Sequence, residues 1–219
     1  MAIKILTQNQ LKILKAIGQN PWLKKNFYLT GGTALAEFYL KHRFSEDLDF
    51  FAEKDFVPQD IFIFLKSRQK YLGIKKTDYQ QSFNRHLFFL YLKNEIIKTE
   101  FTYFPFSRIK QGEIKNHIFI DSLLDIAVNK LFTIYQKPRS RDFIDLYFIV
   151  KKEKLTIEEL VKKAKIKFDW HIDLLQLGSQ FLKAIEVKDY PRMIIKIRHQ
   201  LWQNFFINEA KTLNQEILK

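Results

Sequence analysis

Two adjacent glycines, Gly31 and Gly32, sit between a short apolar run and a helical pattern, and they limit what the first part of this chain can become. Phe27, Tyr28 and Leu29 precede them; three apolar residues are too few for a helix and suit a buried strand. Residues 33–40 carry Ala34, Leu35, Phe38 and Tyr39 at helical spacing. The glycines therefore mark a strand-to-helix junction where the backbone turns with no side chains in the way. A helix N-terminus of that kind, with unpaired amides, is a seat for a phosphate. The chain returns through Lys41, His42, Arg43 and Phe44 into Ser45-Glu46-Asp47-Leu48-Asp49-Phe50-Phe51, where acid and apolar residues alternate as on a strand. Asp47 and Asp49 then point to one side. Paired carboxylates repel unless a cation lies between them, and Mg²⁺ bridging to phosphates is the usual one.

The remaining pattern predicts the following elements. Thr7 with Gln10 is a capping box opening a helix through Leu11, Ile13, Leu14 and Ile17 that stops at Gly18 and Pro21. Val57-Pro58 opens another, with Ile61, Ile63, Phe64, Leu65 and Tyr71 apolar and Gly73 at its end. Strands follow at 85–92 and 96–104, joined by a tight turn at Asn94-Glu95. Alternation places Ile97, Thr99, Phe101 and Tyr103 on one face of the second strand, and Lys98, Glu100 and Thr102 on the other. After a short apolar piece at 117–120, Asp121-Ser122 caps a helix over 123–136, and from there the pattern is helical. Lys130 falls inside the apolar arc of Leu123, Ile126, Ala127 and Ile134, with Asp125, Asn129 and Thr133 on the polar arc. Its stem can lie on the core with the ammonium reaching water, or the ammonium can be aimed at a nucleotide phosphate. The segment 137–141 breaks the helix and holds three cations, Lys137, Arg139 and Arg141. The helix over 142–150 is apolar nearly all round, and Asp142 and Asp145 are its acids. Asp142 gains roughly 0.5 kcal/mol from the helix N-terminus, and Asp145 can bridge to Arg139 or Arg141; a buried carboxylate is otherwise there for chemistry. Thr156 with Glu159 caps a helix over 157–164, and amphipathic helices at 172–187 and 194–218 are separated by Pro191. Trp202, Phe205 and Phe206 read as core, His171 and His199 as structural, and His42 as a candidate for phosphate binding.

At 219 residues and 47% hydrophobic content, the chain can fill one large domain or two small ones and is not disordered. The absence of cysteine excludes disulfides, thiolate metal sites and a cysteine nucleophile, and accords with a reducing compartment. No run approaches the ~18 apolar residues of a membrane span, and the first residues lack the apolar core of a signal peptide. The expected location is cytoplasmic. A net charge of +13, with a basic excess in both halves, suits a polyanionic partner, nucleic acid first.

Gly31-Gly32-Thr33, a helix, and then Asp47-x-Asp49 on the next strand resemble the signature of the DNA polymerase beta-like nucleotidyltransferase superfamily. The longer strings GGTALA and HRFSEDLDFF resemble, more narrowly, the AbiEii/AbiGii nucleotidyltransferase toxins of bacterial abortive-infection and toxin-antitoxin systems. The resemblance implies an α/β (α+β) fold: a nucleotidyltransferase-type mixed sheet with flanking helices over residues 1–120, then a helical bundle over 121–219. It implies two Mg²⁺ ions on Asp47, Asp49 and Glu100, the last as third acid on a neighbouring strand. It also implies an NTP held by Gly31, Gly32 and Thr33, with Arg43, Ser45, Lys130 and Arg141 serving phosphates or acceptor. Asp142 would be an active-site acid working with Lys130, and Asp145 structural. The implied reaction moves a nucleoside monophosphate to an acceptor hydroxyl, RNA or tRNA, under control of an antitoxin protein. The rivals are a small-molecule nucleotidyltransferase and a non-catalytic nucleic-acid or partner-binding module. A sugar-nucleotide transferase reading of Asp47-Leu48-Asp49 is disfavoured by the upstream Gly-Gly-Thr.

Overall fold

The capping box read at Thr7 forms in the structure, a computed structural model that describes residues 4–217 and the side chains of residues 4–213. Thr7 Oγ1 accepts from the Gln10 N–H and Gln10 returns a bond to the Thr7 N–H, starting helix α1 (Gln8–Gln19). Pro21 at the first turn and Asn20 as N-cap then open the short α2 (Pro21–Asn26). Strand β1 (Tyr28–Thr30) runs into α3 (Gly31–Ala34), which widens at once into a turn and a half of π-helix at Leu35–Leu40. The expected helix is thus present, but its second part is wound wider than an α-helix, a local device common near functional sites. Strand β2 (Leu48–Ala52), helix α4 (Pro58–Leu72), and strands β3 (Lys76–Ser82), β4 (Arg85–Tyr91), β5 (Ile96–Tyr103), β6 (Ile114–Lys115) and β7 (Ile118–Ile120) complete the sheet region.

The seven strands lie in the order β3-β4-β5-β2-β1-β7-β6. β2 with β5 and β1 with β7 are parallel, and the other pairs antiparallel, so the sheet is mixed. One face carries the core: Phe50, Phe88 and Phe101 are fully buried, with Phe50 stacked on Phe101 and Phe27 edge-on to it. β3 was not foreseen. Its sequence, Lys-Thr-Asp-Tyr-Gln-Gln-Ser, is that of a solvent-facing edge strand, formed because β4 offers a full row of backbone partners from Tyr91 to Arg85.

The chain divides into two compact units. The first takes the chain up to Tyr39, Ser45–Ser107 and Gln111–Ser122; the second takes Leu40–Phe44, Arg108–Lys110 and the helices from Leu123 onward. Those helices are α5 (Leu123–Gln136), α6 (Ser140–Glu153), α7 (Ile157–Phe168), α8 (Leu174–Leu182), followed by a 3₁₀ turn at Lys183–Ile185, and α9 (His199–Ile217). Phe143, Phe181, Trp202 and Phe206 pack together as their aromatic core; of the stripe expected on α9, Trp202 and Phe206 are in it, whereas Phe205 is half-buried against Tyr147. The segment 108–110 is tied to this unit by Asp125, whose carboxylate accepts the Ile109 and Lys110 N–H groups and the Lys167 ammonium at 2.7 Å. Asp125 is therefore fully buried, not part of a polar arc; its lone pairs are satisfied from three sides. α9 starts later than the sequence pattern suggests. The Ile194 and Ile195 N–H groups donate to the His42 carbonyl and Met193 bridges to Arg43, which keeps that stretch out of a helix. The expected end of α9 at Leu218 lies outside the described residues.

Candidate active site

In the first unit the site is built where β1 turns into α3 beside the start of β2. Thr30, the last residue of β1, is the register partner of Asp49 on β2, and Asp49 in turn is the partner of Glu100 on β5. Partners on adjacent strands place side chains on the same face. Asp49 and Glu100 therefore stand side by side, with Asp47 one step along on that face. Gly31 follows immediately, with φ +71°, and a Cβ built there would lie 2.8 Å from the Asp49 carboxylate oxygen. The backbone therefore approaches the acid as closely as only glycine permits. Thr33 is fully buried: its hydroxyl donates to the Asp47 carbonyl and shares a 2.9 Å hydrogen bond with the Ser45 hydroxyl. These contacts clamp the glycine turn to the entry of β2 and fix Ser45 within the cluster.

Two cations hold the acids. Arg85 Nε and Nη2 both donate to Glu100, each at 2.6 Å, in the bidentate geometry that suits a carboxylate. Lys98 Nζ lies 2.9 Å from Asp47 and 3.9 Å from Glu100. Glu100 is 4% exposed. Burial pushes its carboxyl up, but the bonds and charge of Arg85, the Thr102 hydroxyl and Lys98 outweigh this and hold it below the usual carboxylate range. Arg85 is itself held more firmly protonated, by its bonds to Glu100 first and by the charges of Asp49 and Asp47 besides. Sequence reasoning missed Arg85. The signal was available: a turn at Asn94-Glu95 sets the register that puts Arg85 opposite Thr102, on the face of Glu100.

The other residues singled out lie in the second unit. Asp145 is completely buried and collects three partners: Arg43 through Nε and Nη2 at 2.6 and 2.8 Å, His42 Nε2 at 2.8 Å, and Lys130 Nζ at 2.7 Å. The bridge expected from Arg139 goes instead to Asp142, one turn away, at 2.9 Å. Asp142 also takes Lys130, at 2.7 Å. Lys130 is thus the shared cation of both acids, and its stem is buried with it. Burial pushes Asp142 and Asp145 up, but the surrounding cations more than reverse it, driving Asp145 well below the usual range. Arg43 spends its guanidinium on Asp145 and the Phe44 carbonyl. His42 is buried on Asp145, which removes it as an open phosphate ligand. Arg141 is half-buried at the start of α6.

A family model for the "Nucleotidyl transferase AbiEii toxin, Type IV TA system" matches residues 12–212, nearly the whole chain. The chain belongs to this family. An uncharacterized protein of Aquifex aeolicus, aq_aa25, is 35% identical over 145 residues, 65% of this chain and 66% of that protein. The crystal structure of JHP933 from Helicobacter pylori superposes with a TM-score of 0.61 at 20% identity, covering 97% of this chain and 94% of that one. A proposed nucleotidyltransferase from the same species gives 0.62 at 20% identity over 100% and 99%. At such identities the two structures establish the common fold. Membership of a type IV toxin-antitoxin family implies an antitoxin as partner. Among the described residues, no helix is long and apolar enough to cross a membrane.

Nucleotidyltransferases generally use an NTP and a divalent cation, and the residue types here fit such an ion: Asp49 and Glu100 are register partners on neighbouring strands, with Asp47 just before β2, and all three offer carboxylate oxygens. Among the described residues no three acidic or histidine side chains are gathered closely enough to hold a metal as they stand. The Lys98 ammonium and Arg85 guanidinium hold Asp47 and Glu100 instead.

Proposed function

We propose that the protein is a cytoplasmic, Mg²⁺-dependent nucleotidyltransferase that moves a nucleoside monophosphate from an NTP to a hydroxyl of RNA, tRNA among the acceptors, as the toxin of an antitoxin-controlled pair. The observation that carries this reading is the register of Asp49 with Glu100 on parallel neighbours β2 and β5, beside a glycine turn whose Gly31 backbone meets Asp49. In the reaction the acceptor oxygen bonds to the α-phosphorus, the bond from that phosphorus to the bridging oxygen breaks, and pyrophosphate leaves. The hydroxyl proton passes to a carboxylate of the site. Gly31 and Gly32 offer backbone amides to the triphosphate at the start of α3, and Ser45 lies beside them through Thr33. Asp47, Asp49 and Glu100 are the residues that would hold Mg²⁺, two ions in this proposal, whose chemistry is neutralisation of charge on the reacting phosphates. Lys130 as a phosphate-directed cation, Asp142 as its acid, and Arg141 as a phosphate or acceptor ligand enter through family resemblance; Arg43, implied in the same way, is buried on Asp145 and drops out. The 2.7 Å Lys130–Asp142 pair supports the first two acting together. The net charge of +13 supports a nucleic-acid acceptor.

The test is incubation with total RNA, Mg²⁺ and each α-labelled NTP in turn. Label on RNA with release of pyrophosphate is the expected result; label on small molecules alone would contradict the RNA acceptor. Gly31→Ala probes the turn. A methyl at positive φ costs about 1–2 kcal/mol and also displaces the Asp49 carboxylate. Chemical denaturation is expected to show that modest loss, while incorporation falls by at least roughly tenfold.

A further inference from the structure

Phe83 is the least explained side chain on the surface. It is 94% exposed, the highest value among the large hydrophobic residues described, and its φ is +51°. It opens the two-residue loop Phe83-Asn84 between β3 and β4, at a position glycine ordinarily takes because φ is positive. A bulky residue there strains the backbone, and full exposure of a phenyl ring returns nothing through burial. Both costs fall on the same residue.

The loop is held in place and adjoins the site. The Tyr103 N–H donates to the Asn84 carbonyl at 2.9 Å, pinning the tip to β5. Arg85, two residues on and so within about 7 Å of backbone, is the bidentate partner of Glu100 and feels the charges of Asp49 and Asp47. Phe51 lies half-buried in the same row, with Thr102 between it and Arg85. An exposed aromatic ring thus stands on a loop whose backbone is tied to β5, two residues from the arginine that holds an acid of the carboxylate cluster, in a chain carrying a net charge of +13. An exposed aromatic face on a basic protein is what an unpaired base on a phosphate backbone recognises.

We infer that Phe83 is a stacking platform for a nucleobase brought to the carboxylate site, the base of a single-stranded RNA acceptor or of the NTP itself. This rests on the transferase reading only for the identity of the site. The inference is tested on the full chain with Phe83→Gly, which removes the ring and suits the positive φ, and Phe83→Trp, which keeps a stacking face. The probes are a fluorescein-labelled single-stranded RNA, read by anisotropy across a salt series, and a single NTP, read by calorimetry. Phe83→Gly is expected to weaken RNA binding by on the order of tenfold. The slope of log K against log salt should stay unchanged, because no phosphate contact is lost, and the melting temperature should be equal or higher. Phe83→Trp should bind as wild type, with its tryptophan emission quenched by RNA. The same tenfold loss for NTP but not for RNA would assign the base to the donor. Unchanged affinity of Phe83→Gly for both probes, as an apolar contact to a protein partner would give, overturns the inference; so does a loss that follows a lowered melting temperature. Phe83-dependent RNA binding by a wild-type chain that transfers no nucleotide would sink the transferase reading and leave the stacking role intact.

Discussion

Asp49→Ala is expected to reduce nucleotidyl transfer and pyrophosphate release by about 10³-fold or more, on the order of 4 kcal/mol of transition-state stabilisation. Asp49 is the residue at which the elements of the site meet: it is the partner of Thr30 on β1 and of Glu100 on β5, and it faces the bare backbone of Gly31. Asp47 and Glu100 flank it, held by Lys98 and Arg85. The fold should survive the change. The side chain is half-buried, and its removal takes away one negative charge beside Glu100. Melting temperature should therefore move by no more than about 3 °C. A variant that melts normally and transfers normally would contradict the mechanism.

Asp145→Ala should act in the opposite way, on the fold itself. Arg43, Lys130 and His42 converge on this one carboxylate inside the second unit. Its loss takes the counter-ion from the buried Arg43 and leaves Lys130 with Asp142 alone, which costs about 3–5 kcal/mol, a large part of the stability of a domain. Denaturant titration at neutral pH should show the loss. Asp145→Asn, of nearly the same shape, should recover little, because the missing quantity is charge. A pH dependence follows with a definite sign. The folded pKa of Asp145 lies well below its ordinary value, so its contribution is complete above the unfolded pKa near 4 and is lost as pH falls below that toward the depressed folded value. Wild type should lose stability on acidification below about pH 4 more steeply than Asp145→Asn. Parallel acid profiles would show that the carboxylate contributes no net charge stabilisation.

Much of the frame was legible because it is local. The Thr7 and Thr156 capping boxes, the strand-to-helix turn at Gly31, the proline start and glycine end of α4, and the hairpin between β4 and β5 are each determined within a few residues. That Asp47 and Asp49 share a side followed from alternation, and the family resemblance supplied Glu100 on the neighbouring strand. What escaped was set by distant partners. Asp145 is 102 residues from Arg43, and no local pattern distinguishes that bridge from one to Arg139. Asp125 sits at a position that reads as polar until Lys167, 42 residues on, is seen to be buried against it. β3 carries polar residues because it is an edge, and its pairing is dictated by β4, not by its own apolar period. The late start of α9 depends on backbone bonds to His42, a segment more than 150 residues earlier.

If Asp47, Asp49 and Glu100 form the cation site of a nucleotidyltransferase, they should bind Mn²⁺ as a stand-in for Mg²⁺, and electron paramagnetic resonance with NTP present reads that binding directly. Binding is expected for wild type, with weakening of at least roughly tenfold in Asp49→Asn. Lys98→Gln should bind at least as tightly as wild type, because a competing ammonium is gone. Equal Mn²⁺ affinity in wild type, Asp47→Asn and Asp49→Asn would contradict the assignment of these carboxylates.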